Sequence, residues 1–355
     1  MLQRFVELPK AEVHIHLEGT LAFPTVGSDG AGGVNTSPLI ADMPSTVGLS
    51  EFLQLLDRIC SRITGRDELA AVARAFAERI AASGAGYADV IINPTHWSSW
   101  RSNIPGLIEG LDAGFSEAEQ DGLPAVGVCV SLLRTQSADE ASELVDVLVE
   151  LASPRVVALS VDGNEVVSGQ TGTKFADAFR RAKGAGLRAT VHAGESSGPE
   201  GVRDAIELLG ADRIDHGVRA IEDPALMSFL ADRQIPLGVC PSSNLTLGLY
   251  QRLDEHPIDR LRLAGVRVSV NTDDPELLGI DLAGEYERCA ETFGWSDAVV
   301  ADIARTSIDA AFCDTDTKAS LRAGVVAWAD EVLAESPTRP TQSSTTSQHQ
   351  GGEHE

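Results

Sequence analysis

Residues 12–18 read EVHIHLE, a short β-type run with His14 and His16 at alternate positions. Side chains at i and i+2 share one face of a strand, so both imidazoles point the same way, about 7 Å apart along the chain. Seven further runs follow, at 87–93, 125–132, 156–163, 188–195, 213–217, 235–242 and 266–272. Most are apolar nearly throughout, as parallel strands buried on both faces are. Helical patterns lie between them. Residues 67–83 place Leu69, Val72, Ala73, Phe76 and Ile80 at helical spacing, and 137–152 opens with Ser137 and Glu140, a capping box. Residues 174–185 and 200–209 read as further helices, each followed by glycine. Eight strand–helix alternations predict an α/β chain folded as a (β/α)8 TIM barrel. In that fold the histidines of the first strand face the barrel axis, and chemistry sits at the C-terminal ends of the strands.

A length of 355 residues suits one such barrel. We expect residues 1–335 to form it. Residues 336–355, SPTRPTQSSTTSQHQGGEHE, have no apolar periodicity and read as a disordered tail. The formal net charge of −25 argues against nucleic-acid binding and against an anionic membrane partner. There is no run of eighteen apolar residues and no apolar segment within the first ten, so neither a membrane helix nor a signal peptide is expected, and the cytoplasm is the expected location. Cys60, Cys129, Cys240, Cys289 and Cys313 are widely spaced with no C-x-x-C pair, which speaks against a disulfide framework and a cysteine-built zinc knuckle. Cys129 and Cys240 read as core residues.

Other ionisable residues fall at strand ends. His192-Ala-Gly-Glu195 closes the fifth run, His216 the sixth and Asp273-Asp274-Pro275 the eighth. Imidazoles with a carboxylate suit zinc, which lowers the pKa of a bound water to roughly 7. One of the two aspartates is expected to bind metal, leaving its neighbour free to act on water or substrate. Binuclear relatives of such barrels bridge two metals with a carboxylated lysine on the fourth strand. Residues 156–163 contain no lysine, so one zinc ion per chain is expected, at the C-terminal mouth. No H-x-E…C-x-x-C set is present, which excludes the cytidine-type zinc deaminase architecture. His96 follows the second strand, where it either lines the pocket or stands on a surface loop. His256 reads as structural.

The segments LPKAEVHIHLEGTL at 8–21, VHAGE at 191–195, RIDHGVRAIED at 213–223, CPSSN at 240–244 and NTDDP at 271–275 resemble the adenosine/adenine deaminases of the metal-dependent amidohydrolase superfamily. The resemblance implies that His14, His16, His192 and Asp273 bind zinc. It implies that Glu195 protonates purine N1, that His216 supports the attacking hydroxide, and that Asp274 partners that water and meets N7. Gly163 matches a backbone donor to N3, and Glu18 takes the place of an acid at the ribose end. His16, Glu18, Gly163 and Asp274 are thus the expected substrate contacts. Leu49, Phe52, Leu53 and Leu56, at i, i+3, i+4 and i+7, match a short apolar helix over the substrate. The chain departs from the family at 20–48. Gly27, Gly30, Gly32, Gly33, Pro24, Pro38 and Pro44 make that segment read as a shortened loop.

The first expectation is zinc-dependent hydrolysis of adenosine and 2′-deoxyadenosine to the inosine product and ammonia, by attack of a zinc-activated hydroxide at purine C6. Adenine, or a larger compound such as an aminodeoxyfutalosine or an N6-substituted adenine, is the alternative substrate. A zinc-binding pseudoenzyme used for interaction is the alternative of another class. The expected partner is a small purine, not nucleic acid or membrane. The sequence gives no oligomeric state.

Overall fold

In the computed structural model, which describes residues 2–21 and 49–335, β1 runs Lys10–His16. It is followed by β2 (Ala85–Ile92), β3 (Ala125–Leu133), β4 (Val156–Asp162), β5 (Arg188–Ala193), β6 (Arg213–His216), β7 (Leu237–Val239) and β8 (Val268–Val270). The strands are parallel and pair in chain order. The first strand meets the last through an isolated bridge between Ile15 and Asp273. His16 N–H donates to the Asp273 carbonyl at 2.8 Å, and Asp273 N–H to the His14 carbonyl at 3.2 Å. The barrel therefore closes through the backbone of the residues singled out for metal.

Every residue of β1 is buried, but its two faces differ. Ala11, Val13, Ile15 and Leu17 join the main apolar core between barrel and helices, while Glu12, His14 and His16 occupy the opposite face. The same division recurs in β2, where Ala88, Val90 and Ile92 are in that core, Asp89 is a buried carboxyl and Ile91 belongs to a small separate cluster with Cys129 and Ala158. In β5, Ala189 and Val191 alternate with Thr190 and His192. Burial on both faces is thus as the sequence predicts, but the inner face is largely polar. Most of these inward polar groups pair with one another, as Asp89, Thr190, Arg213 and Asp215 do.

The helices at 67–83, 137–152, 174–185 and 200–209 are found as Arg66–Ala82, Ala138–Leu151, Ala176–Gly184 and Glu200–Glu207. The capping box is present: Glu140 N–H donates to Ser137 Oγ at 3.2 Å, and Ser137 N–H to Glu140 Oε2 at 2.7 Å. The last two strands are shorter than their runs. Pro236 and Pro241 have no N–H to donate, and Pro241 opens the helix Pro241–Thr246. At the other run, side chains replace ladder bonds: Asn271 Oδ1 accepts from Val13 N–H at 2.9 Å and Glu12 Oε1 from Thr272 N–H at 3.0 Å. The segment 22–48 and the tail 336–355 lie outside the described residues. Among the described residues no helix is long and apolar enough to cross a membrane.

Glu12 ties β1 to the chain just before Asp273, since it also accepts from Thr272 Oγ1 at 2.5 Å. Burial raises its carboxyl pKa to about 7, against the opposing bonds from Thr272 and the charge of Lys10. Glu12→Ala is expected to cost about 1–3 kcal/mol in urea unfolding, because Thr272 loses its acceptor, whereas Glu12→Gln should cost under about 1 kcal/mol. A folded pKa above the unfolded value means that Glu12 contributes fully below its ordinary range and loses that contribution as pH rises through about 7. The wild type should therefore lose stability relative to Glu12→Gln as pH rises from about 5 to about 8; a parallel pH dependence of the two would contradict this.

Candidate active site

Four donor atoms meet above the inner face of β1. His14 Nε2 lies 3.1 Å from His192 Nε2, and His16 Nε2 lies 3.0 Å from the same atom. Asp273 Oδ1 is 3.4 Å from both His14 Nε2 and His16 Nε2. The donors of these four residues all lie within 4.8 Å of one another. A tetrahedral metal with ligand bonds of about 2.0–2.2 Å holds its donors about 3.3 Å apart, so the set fits one zinc-sized ion. One proton cannot satisfy three facing ring nitrogens and a carboxylate at once. Second contacts aim the ligands: His14 Nδ1 lies 2.8 Å from the Gly238 carbonyl, which fixes the tautomer with a lone pair on Nε2. Ser243 Oγ donates to Asp273 Oδ2 at 2.6 Å, leaving Oδ1 for the cluster.

A second grouping, His14, His216, Cys240 and Asp273, shares two members with the first and so competes for the same ion. It is the poorer set, because burial pushes the Cys240 thiol well above its ordinary pKa and only a thiolate ligates well. Burial alone would lower the His14 pKa, but the carboxylates of Asp215 and Asp273 raise it to about 9. A cation bound there must displace that proton.

The backbone is bent where the site needs it. His216 and Asp273 have φ of 64° and 67°, left-handed values that non-glycine residues rarely adopt. Each such residue stores about 1–3 kcal/mol of strain, held by its surroundings. Both turn a strand end so that its side chain enters the mouth. Gly163, with φ of 102°, follows β4 at the cavity wall, and a Cβ there would lie 2.9 Å from Leu133 Cδ1.

Around the cluster stand the candidate acids and bases. Glu195 is buried, and that burial, with the charges of Asp273 and Glu165, raises its pKa to about 8. Its Oε1 lies 3.4 Å from His216 Nε2. Burial, together with the charge of His14, holds His216 well below its ordinary pKa, so its ring is neutral. His216 Nδ1 is 3.3 Å from Asn244 Nδ2, and Asn244 Oδ1 is 3.0 Å from His256 Nε2. His256 is thus a buried support for the site, its own pKa lowered to about 3 by burial. Burial and the neighbouring Asp273 push Asp274 well above the ordinary carboxyl range. Its Oδ1 is buried without a partner.

These groups border a cavity lined by His16, Leu56, His96, Asp162, Gly163, His192, Glu195, His216, Leu247, Asp273 and Asp274. His96 is a pocket residue, held by Asp57 Oδ1 at 2.6 Å from Nδ1. Leu56 is the buried pocket-side member of the helix Leu49–Cys60; the side chains of Leu49, Phe52 and Leu53 lie outside the described residues. Glu18 is not on the cavity wall. Its Oε1 accepts from Trp97 Nε1 at 2.6 Å and from Asn93 N–H at 2.8 Å, and Oε2 is buried without a partner.

The sequence assigns no task in the site to Glu165, Ser243 or Asn244, Glu165 counting only toward the Gly-x-Glu pattern after β4. The first stands in the DGNE that follows β4, the others in the CPSSN motif. Glu165 is fully enclosed and accepts the N–H groups of Gly194, Glu195, Ser196 and Ser197 at 3.0, 2.9, 3.1 and 3.2 Å. It clamps the turn that carries Glu195. Glu165→Ala is expected to speed amide hydrogen exchange across 194–197, read by mass spectrometry, with the strands unchanged. Unaltered protection there would contradict the clamp.

The adenosine deaminase family model matches residues 9–328. The adenine deaminase of Sinorhizobium medicae is 33% identical over 320 residues, covering 90% of this chain and 98% of its own. Among solved structures, the adenine deaminase of Arthrobacter aurescens superposes with a TM-score of 0.82 at 28% identity, covering 91% of this chain and 99% of its own. An amidohydrolase from Burkholderia ambifaria with bound zinc gives a TM-score of 0.80 at 27% identity, covering 94% and 93%. The chain belongs to the adenosine deaminase family of the amidohydrolase superfamily and is a hydrolase that deaminates a purine at a carbon–nitrogen bond.

Proposed function

We propose that the preferred substrate is the free base adenine, converted with water to the 6-oxo purine and ammonia, with one zinc ion per chain held by His14, His16, His192 and Asp273. The observation that carries the choice of base is the carboxylate of Asp162. It faces the cavity next to Gly163, with Oδ1 held at 2.6 Å by Asn93 Nδ2. A carboxylate at the end of the cavity that takes the N3 and N9 side of a purine calls for an N–H. Adenine offers one at its imidazole ring, whereas the N9 of adenosine carries a sugar. Glu18, placed at the ribose end by resemblance, is instead tied to Trp97 and Asn93. The relatives named adenine deaminase support the same reading. Adenosine, the first expectation from sequence, is the second reading. It is favoured by Gly163 and Glu165 in the DGNE stretch, a pattern that resembles nucleoside enzymes.

A zinc ion at the four donors would supply an activated water at neutral pH. The remaining work falls to side chains. With its pKa near 8, Glu195 is protonated at pH 7 and gives its proton to N1, which drains electron density from C6 and opens it to attack. Neutral His216, whose Nδ1 accepts from Asn244 Nδ2, carries its proton on Nε2 and donates a hydrogen bond that orients the incoming water. Asp274, a strong base when ionised because burial raises its pKa, takes the proton released as oxygen bonds to C6, and its carboxyl then meets N7, while Gly163 presents its backbone N–H to N3. The amino group takes that proton from Asp274 and leaves as ammonia, and the C6 hydroxyl returns a proton to Glu195 as the ring becomes the 6-oxo purine.

Ultraviolet progress curves with adenine and adenosine, together with ammonia release, test the proposal. We expect kcat/KM for adenine to exceed that for adenosine by at least about 10²-fold, since a site that binds an N–H strongly rejects an analogue lacking it. A preference for adenosine would overturn the base assignment. No turnover of any 6-aminopurine by zinc-loaded protein would favour a pseudoenzyme. Glu195→Gln should lower kcat by about 10²-fold or more with zinc still bound. A near-normal rate would remove Glu195 from the acid role.

A further inference from the structure

Below the metal cluster the inner face of the barrel holds a column of buried charge. His192 on β5 and Asp215 on β6 are register partners, so their side chains rise side by side. The Asp215 side chain is fully buried, and its Oδ2 lies 3.6 Å from His192 Nδ1. That nitrogen is buried and makes no hydrogen bond in this structure. For Nε2 to offer a lone pair to a cation, the ring proton must sit on Nδ1, and a buried N–H without an acceptor is costly. A slight tilt of the imidazole brings it within bonding distance of Oδ2.

Asp215 is itself held from both sides. Oδ2 accepts from Thr190 Oγ1 at 2.7 Å, and Oδ1 lies 3.3 Å from Arg213 Nε. Arg213 is also wholly enclosed. It donates to Asp89 Oδ2 at 2.7 Å and to the Ala310 carbonyl at 3.0 Å, with its guanidinium 4.3 Å from the centroid of the Phe312 ring.

We propose that Asp215 is the positioning residue of His192: it accepts the Nδ1–H, fixes the tautomer and aims Nε2 at the metal, while Arg213, Thr190 and Asp89 hold Asp215 in place. The inference rests on the reading of His14, His16, His192 and Asp273 as a zinc site. It assigns the column a task beyond filling the barrel with matched charge. The carboxylate partner of a ligating histidine makes the ring a better donor, and its loss typically costs about 10–100-fold in metal affinity.

The test separates that task from a purely structural one by comparing Asp215→Asn with Asp89→Asn. Both variants remove one carboxylate from Arg213, but only the first removes the partner of His192. Zinc affinity is read by competition with a chromophoric chelator, and ligand geometry by the visible spectrum of the cobalt-substituted protein. We expect Asp215→Asn to weaken zinc binding about 10–100-fold and to alter the cobalt bands. Asp89→Asn should lower the melting temperature of the metal-free protein and leave zinc affinity and the bands near wild type. Equal zinc affinity in Asp215→Asn and wild type would overturn the proposal, as would equal losses in both variants. A wild type that binds no zinc would instead overturn the reading of the site. Should Asp215→Asn fail to fold, the zinc-loaded wild type still decides the matter by nuclear magnetic resonance. The His192 Nδ1–H should give a slowly exchanging downfield proton signal, and free exchange with solvent would refute the bond.

Discussion

Three imidazole nitrogens and a carboxylate oxygen converge within 4.8 Å of one another, and all but His192 belong to the segments that close the barrel. The backbone of Asp273 bonds to those of His14 and His16, while its side chain meets their rings. Closure of the sheet and assembly of the donor set are therefore one event. The left-handed backbone at Asp273 and His216 persists because hydrogen bonds on either side hold it. Glu12 ties the preceding backbone N–H, that of Thr272, back to β1, so the strand that delivers the histidines also anchors the aspartate.

Burial then sets the chemistry of the neighbours. Excluding water makes charge expensive, so Glu195 keeps its proton near neutral pH while His216 loses its own. Two groups 3.4 Å apart are thus left uncharged together by one environment, the carboxyl protonated and the imidazole neutral. Neither would hold its place unaided. Glu165 binds the turn beneath Glu195 through four N–H groups, and Asn244 and His256 stand behind His216.

Much of this was legible in the sequence because strand periodicity is local. The alternation of His14 and His16 gives a shared face, and the rule that barrel chemistry sits at strand ends leads to His192, Glu195, His216, Asp273 and Asp274. The short β7 and β8 were less legible, since their missing ladder bonds go to side chains distant in sequence, as with Glu12 and Thr272. Glu165 and Asp215 carried no local signal of their tasks. One acts on a turn thirty residues ahead, the other on an adjacent strand, and only the tertiary register brings each to its target. The inner face misled for a related reason: Asp89, Thr190 and Arg213 break the apolar pattern, and their meaning depends on strands that sequence alone does not align.

The proposed chemistry depends on the four donors holding a single cation. Metal content of the purified, zinc-equilibrated protein, measured by mass spectrometry beside a His192→Ala variant of intact fold, tests this most directly. One zinc per chain in the wild type, lost or sharply reduced in the variant, is the expected result. Two tightly bound zinc ions per chain, none, or one retained unchanged without His192 would contradict it.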